Sequence, residues 1–211
     1  MISICIPIYN FQVCNLVSDL QTQAEQQNLT YEIICIDDAS EKKWLAKNNC
    51  LNEYANVQYH ELKLNIGRSK IRNLLAKKAN FDLLLFIDCD SAVCSNNYLS
   101  NYIDNHLIAN VIYGGRIHSL TPPENKTLYL RWLYGIKRED QGHLQRNNKP
   151  YMSFKSNNFL IPKKTFQNIK FDESFKGYGH EDTFFAQQLE GNKISITHID
   201  NPLIHIGLEN I

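Results

Sequence analysis

Asp82-Leu83-Leu84-Leu85-Phe86-Ile87-Asp88-Cys89-Asp90 decides how this chain is read. A short apolar run with no alternation is what a strand buried on both faces looks like, and such strands belong to parallel sheets covered by helices. The run stops abruptly at two carboxylates spaced i and i+2. On an extended segment they would point to the same side and repel, raising the pKa of one of them. A hard divalent cation would resolve that conflict, since Mg²⁺ and Mn²⁺ favour carboxylate and phosphate oxygens. A plain turn after a strand is the competing reading of the same three residues.

Outward from this run, strand and helix patterns alternate. Towards the N-terminus lie an apolar strand at 2–8, helical spacing at 13–26, a strand at 31–36, a helical stretch near 42–54, a strand near 57–63 and a helix at 68–79. Towards the C-terminus lie a helix near 96–108 and a strand opening at Val111. The alternation predicts an α/β fold with a mostly parallel sheet and helices on both faces. Beyond Thr121-Pro122-Pro123 the pattern loosens. A helix is expected at 126–138, a polar loop or mobile lid at 137–150, a helix to about 190 and a last strand near 193–199. One domain over 1–211 is expected, with a nucleotide-binding half to about 115 and an acceptor and catalytic half from about 116.

Bulk properties fit this reading. The 211 residues are 43% hydrophobic, enough for one core, and 22 basic residues balance 22 acidic ones. A neutral chain has no global field for nucleic acid. No apolar stretch approaches the ~18 residues that span a bilayer, and Met1–Ile8 lacks the basic start of a signal peptide. A cytoplasmic protein is expected, free or at the inner face of the membrane. The six cysteines form no CxxC pair, so reduced thiols are expected. Cys5 and Cys35 read as core, and Cys89 and Cys94 as filler around an acidic turn rather than reactive thiols.

In open α/β sheets ligands bind beyond the carboxyl ends of the strands. Asp37 and Asp38 close the second strand as Asp88 and Asp90 close a later one. Asp37-Asp38 suits either a base or ribose contact or an Asx turn assisted by Ser40. Asn65-Ile66-Gly67 opens a helix carrying Arg68 and Arg72, where backbone amides and a planar guanidinium favour phosphate. Glu181-Asp182 would occupy the first turn of a helix, as dipole-favoured acids or as a general base. His205, on an apolar strand, either satisfies a local hydrogen bond or completes a metal site. The other six histidines, His118 among them, show no ligand spacing.

In this order, six segments resemble the family 2 glycosyltransferases of the GT-A fold. They are Ile4-Cys5-Ile6-Pro7-Ile8-Tyr9-Asn10, Ile36-Asp37-Asp38-Ala39-Ser40, Asn65-Ile66-Gly67 with Arg72-Asn73, Asp88-Cys89-Asp90, Ser156-Asn157-Asn158 and Gly179-His180-Glu181-Asp182. The resemblance implies inverting transfer of a sugar from a nucleotide diphosphate-sugar, by family habit UDP, to an acceptor hydroxyl. The acceptor would be a glycan or lipid-linked, as in polysaccharide or lipopolysaccharide synthesis. Pro7 and Tyr9 would line the base pocket, Asp38 or Asp37 would bind base or ribose, and Arg72 would lie near the diphosphate. Asp90 and His205 would ligate Mn²⁺ or Mg²⁺, with Asp88 on the metal, its water or the ribose. Asp182 would be the catalytic base and Glu181 its neighbour on the acceptor. The chain ends six residues after His205, where many relatives continue. Tyr178 would replace the Trp often found before the acidic pair. A sugar-phosphate nucleotidyltransferase fits less well, because no glycine-rich loop follows the first strand. A non-catalytic nucleotide-sugar-binding module is the other alternative.

Overall fold

The computed structural model describes residues 1–175 and 179–208. Strands β1 (Ile2–Ile8), β2 (Tyr31–Asp37), β3 (Val57–Glu61) and β4 (Leu83–Ile87) alternate with helices α1 (Cys14–Gln26), α2 (Lys42–Asn48) and α3 (Arg68–Lys78). There follow β5 (Ser91–Val93), α4 (Tyr98–Asn105), β6 (Val111–Tyr113), β7 (Arg116–His118), α5 (Tyr129–Tyr134), α6 (His143–Asn147) and α7 (Pro150–Ser153). The chain then forms β8 (Asn158–Pro162), α8 (Lys163–Ile169), α9 (Glu181–Gly191), β9 (Ile196–His198) and β10 (Leu203–His205).

The main sheet has the order β3-β2-β1-β4-β8-β6-β9. Only β8 runs against its neighbours, β4 and β6, so the sheet is mostly parallel as the apolar runs predict. Successive residues of one strand serve opposite faces. Ile4, Ile6, Ile33 and Cys35 pack with Val17, Leu20, Tyr98 and Tyr102. Cys5, Ile34 and Ile36 pack with Ile71, Leu75, Phe159 and Phe185 on the other face. Each such fully buried aliphatic contributes roughly 1.5–3 kcal/mol, which anchors the strand ends where the acids sit.

The second half departs from expectation. The helix predicted at 126–138 breaks into a 3₁₀ turn, α5 and a π turn over Gly135–Glu139. Residues 137–150 are neither a lid nor a simple surface loop. They form α6 around Arg146, which is buried and donates to the carbonyls of Gln141, Gly114 and Ile199. A small sheet, β5-β10-β7, also escaped the pattern because its strands are three residues long.

The expectation of reduced thiols is corrected for two residues: Cys14 and Cys50 form a disulfide across 36 positions. No local motif links them. They meet because Asn48 accepts from the Val13 amide (3.0 Å) and donates to the Phe11 carbonyl (2.8 Å), tying the start of α1 to the end of α2. Cys5, Cys35, Cys89 and Cys94 are free. Burial pushes the Cys89 thiol up to about 12, which keeps it protonated and inert.

Candidate active site

Two adjoining cavities open at the carboxyl ends of β1, β2 and β4. The first, about 750 Å³, is lined by Pro7, Tyr9, Asp38, Asn65, Gly67, Arg72 and Asp90, among others. The second, about 740 Å³, holds Glu181 and Asp182. Arg68 and Asp88 line both, so the two halves of the chain meet at these side chains.

Asp37 and Asp38 have different settings. Asp37 is fully buried and Oδ1 accepts from the Ser40 amide at 2.7 Å, the Asx-type turn that its sequence allowed. Burial raises its carboxyl above the usual range, and Oδ2 has no partner. Asp38 turns to the cleft, where Oδ1 accepts from Ile66 N–H (2.7 Å) and Oδ2 from Gly67 N–H (3.0 Å). A carboxylate therefore already sits where the α3 N-terminus was expected to hold phosphate. Gly67 is needed for its φ of +85°, since an added Cβ would touch nothing within 4 Å.

Arg72 is 2% exposed, and its Nη2 lies 2.5 Å from Asp88 Oδ1. Asp88, expected beside Asp90 and His205 in one metal set, faces this guanidinium instead. The physical reason is that residues 88–90 turn after β4 rather than continue extended, so the i, i+2 geometry is lost. Burial pushes the Asp88 carboxyl up, Arg72 pulls it back, and the Asp90 charge adds to the push. For Asp90, burial also works upward, but the His205 hydrogen bond and charge outweigh it and hold the carboxyl below its usual range.

Asp90 Oδ2 and His205 Nε2 converge at 3.0 Å. β10 makes this possible: it pairs with β5, and Gly207 then passes so close that a Cβ there would stand 2.6 Å from that of Asp90. Among the described residues no three of His, Cys, Asp and Glu form a group that would hold a metal. Asp90 and His205 supply two donors of suitable type. That suits a cation whose remaining sites are filled by a ligand's phosphate oxygens and water, the usual habit of Mg²⁺.

Behind His205 stands His118, which the sequence gave no reason to choose. The register of β7 on β10 sets the two opposite each other, with His118 Nε2 3.3 Å from His205 Nδ1. Asp140 Oδ1 lies 2.7 Å from His118 Nδ1, and Asp140 Oδ2 accepts from the His118 amide. With its Nδ1–H given to Asp140, His118 accepts at Nε2, so His205 donates from Nδ1. His205 Nε2 then faces Asp90: with a proton it donates to Oδ2, and without one it would present its lone pair to a cation. A Cβ on Gly135 would come within 2.3 Å of His118 Nε2, so glycine is required there.

On the other side of Asp88, α9 presents the acidic pair in its first turn, after Gly179 (φ +104°) and His180 in a left-handed conformation. Glu181 is buried and paired with Arg68 Nε at 2.9 Å. Asp182 Oδ1 accepts from Ser156 Oγ at 2.6 Å. The next residue, Asn157, accepts the Asp88 amide at its carbonyl. Ser156 and Asn157 thus hold Asp182 and Asp88 from one short segment. Gly177 and Tyr178, the latter expected to stack near the acidic pair, lie outside the described residues.

The family model of glycosyl transferase family 2 matches residues 3–169. The chain belongs to this family and, with it, to the glycosyltransferases. An uncharacterized glycosyltransferase of Haemophilus influenzae is 26% identical over 98% of this chain and 80% of its own length. In three dimensions the chain resembles S. aureus TarS residues 1–349 in complex with UDP, with a TM-score of 0.69 and 19% identity over 96% of this chain. The TM-score to a second structure of S. aureus TarS 1–349 is 0.66, and to TarS it is 0.64. The chain spans 59% of TarS 1–349 and 36% of TarS. Likeness at this identity reports the GT-A fold.

Proposed function

We propose that this protein is an inverting, divalent-metal-dependent glycosyltransferase that moves a sugar from a nucleoside diphosphate-sugar, UDP-linked in first instance, onto an acceptor hydroxyl. The reading rests on one observation: the cleft at the strand ends and the cavity of Asp182 share Asp88 and Arg68. A donor in the first and an acceptor in the second would meet there. UDP in the TarS 1–349 complex supports a uridine diphosphate donor.

In this reading Pro7, Tyr9 and Asp38 border the nucleotide, and Tyr9 is half-exposed at the mouth of the cleft, free to lie against a base. Asp90 and His205 would hold the cation, which would supply charge stabilisation for a departing diphosphate. Arg72 is fixed by Asp88 and keeps a buried Nε without a partner, a donor left for the diphosphate side. Ser156 engages one oxygen of Asp182 and leaves the other to take the proton of the acceptor hydroxyl. The acceptor oxygen then bonds to the anomeric carbon as the bond to the diphosphate breaks on the opposite face, which inverts the centre. Glu181 with Arg68 fixes the start of α9. Synthesis of a cell-surface polysaccharide or lipopolysaccharide, at or near a membrane face, is the setting we propose. No described helix is long and apolar enough to cross a membrane.

Calorimetric titration with UDP and with GDP, each with and without Mn²⁺, tests the reading. Metal-dependent binding of one nucleotide, lost in Asp90→Ala, is expected. If neither nucleotide binds under any condition, the assignment of the cleft to a UDP- or GDP-linked donor fails.

A further inference from the structure

The chain carries no net charge, yet the cavity beside Asp182 is lined by seven Arg and Lys side chains against four carboxylates. Most of those carboxylates already have partners. Asp88 is taken by Arg72 and Glu181 by Arg68. Glu139 Oε2 accepts from both Arg116 and Arg131, at 3.1 Å each, so one carboxylate answers two guanidiniums. Arg131 Nη1 is buried with no hydrogen-bond partner. Arg146 is buried against carbonyls and His198, with no carboxylate hydrogen-bonded to it. Arg138, Lys149 and Lys155 stand exposed on the same wall with no ion-pair partner among the described residues.

Buried or half-buried cations without counter-charges are costly unless a ligand supplies the missing anion. A neutral glycan can accept hydrogen bonds from them but supplies no counter-charge. Among the described residues, the one Phe, Tyr or Trp ring lining this cavity is Tyr113, buried beneath Arg146, whose guanidinium carbon sits 5.4 Å from the ring centre. Arg131, Arg138, Arg146, Lys149 and Lys155 line this cavity and not the donor cleft, whereas Arg116 also acts on Asp90, at the donor side.

We infer that the acceptor is anionic: a sugar unit carrying a phosphate or a carboxylate close to the hydroxyl that Asp182 deprotonates. The inference rests on the reading of Asp182 as the base. Arginine forks supply paired donors for either anion, and lysines add charge at the mouth. The same field would draw a charged acceptor in and would weaken with salt.

The test is titration of the whole chain, with UDP and Mn²⁺ present, by glucose, glucose 6-phosphate and glucuronate, followed by NMR or calorimetry. Both anionic sugars should bind at least about tenfold more tightly than glucose, the scale of one charge-assisted hydrogen bond. A preference for the phosphate or for the uronate names the source of the charge. The double variant Arg138→Gln with Lys149→Gln, at exposed positions, should lose about tenfold for the anions and keep its affinity for UDP. Equal affinity for all three sugars, or no binding of any, overturns the inference. So does a double variant that loses UDP rather than the anionic sugars. Failure of UDP to bind at all is separate: it counts against the donor cleft, while the sugar titration still reports on the cavity.

Discussion

The half of the chain up to about residue 115 and the half beyond it hold their site residues in different ways. In the first, Pro7, Asp38, Asp88 and Asp90 follow directly from strand ends, and each strand is a local apolar run buried on both faces. In the second, the site depends on pairings between distant pieces: Ser156 with Asp182, His118 with His205 and Asp140, Arg146 with the carbonyls of Gly114 and Ile199. The cleft proposed for the nucleotide is thus built on a regular scaffold, while the cavity proposed for the acceptor is shaped by polar contacts with no period. Substitutions should divide the same way, the first half changing nucleotide affinity and the second changing transfer.

The largest effect should come from Asp182→Asn. It removes the proposed base and keeps the side-chain volume and the contact with Ser156. Transfer should fall by about 10³-fold, within the range of general base catalysis, with UDP binding unchanged. If the variant kept full turnover, α9 would be scaffold only and the functional contrast between the halves would collapse.

Next is the Cys14–Cys50 disulfide, the one covalent long-range link among the described residues of the first half. Closing 36 positions restricts the unfolded chain, and by the chain-entropy rule its loss costs about 3–4 kcal/mol. The double Cys→Ser variant should unfold at lower denaturant, while metal-dependent UDP affinity stays the same at low denaturant. If UDP affinity dropped as well, the joint between α1 and α2 would belong to the cleft.

His118 sharpens the comparison further, because from a second-half strand it contacts His205, the proposed cation ligand. His118→Ala should weaken Mn²⁺-dependent UDP binding by about tenfold, the lower end for partners that orient metal-binding histidines. UDP binding without metal should not change, and His118→Gln, which can still donate and accept, should recover part of the loss. A purely structural role would instead lower both affinities together.

How much could be read in the sequence follows from the same division. The strands of 2–8, 31–36 and 82–87 were legible because burial on both faces leaves an uninterrupted apolar run, and the acids at their ends stood out against it. Asp37 and Asp38 could not be told apart, because which one turns inward depends on Ser40 and on the Ile66 and Gly67 amides. The turn at 88–90 removed the expected alignment of Asp88 with Asp90. β7 and β10 have three residues each, too few for a period, so the pairing of His118 with His205 had no local trace. Arg146 looked like part of a polar loop, since two of its three carbonyl partners, Gly114 and Ile199, lie 32 and 53 positions away.

The smallest expected effect concerns that arginine. Arg146 Nε donates to His198 Nδ1 at 3.2 Å, and His198 Nε2 donates to the Pro150 carbonyl at 2.9 Å, so the ring is neutral with both nitrogens committed. Burial first, and then the facing guanidinium, lower the histidine from its ordinary value to about 4, against the upward pull of the Pro150 bond. The unfolded chain, with an unperturbed histidine near pH 6.5, therefore binds this proton more readily than the folded one. Stability tied to His198 is complete above pH 6.5 and is lost as pH falls from there towards 4. Between pH 7 and pH 6 the folding equilibrium should shift by about threefold through this group, a difference that His198→Gln should abolish in denaturant titrations at the two pH values. If the wild-type and variant curves moved in parallel, the acid sensitivity would arise elsewhere, and the wall of the acceptor cavity would not depend on a neutral histidine beneath Arg146.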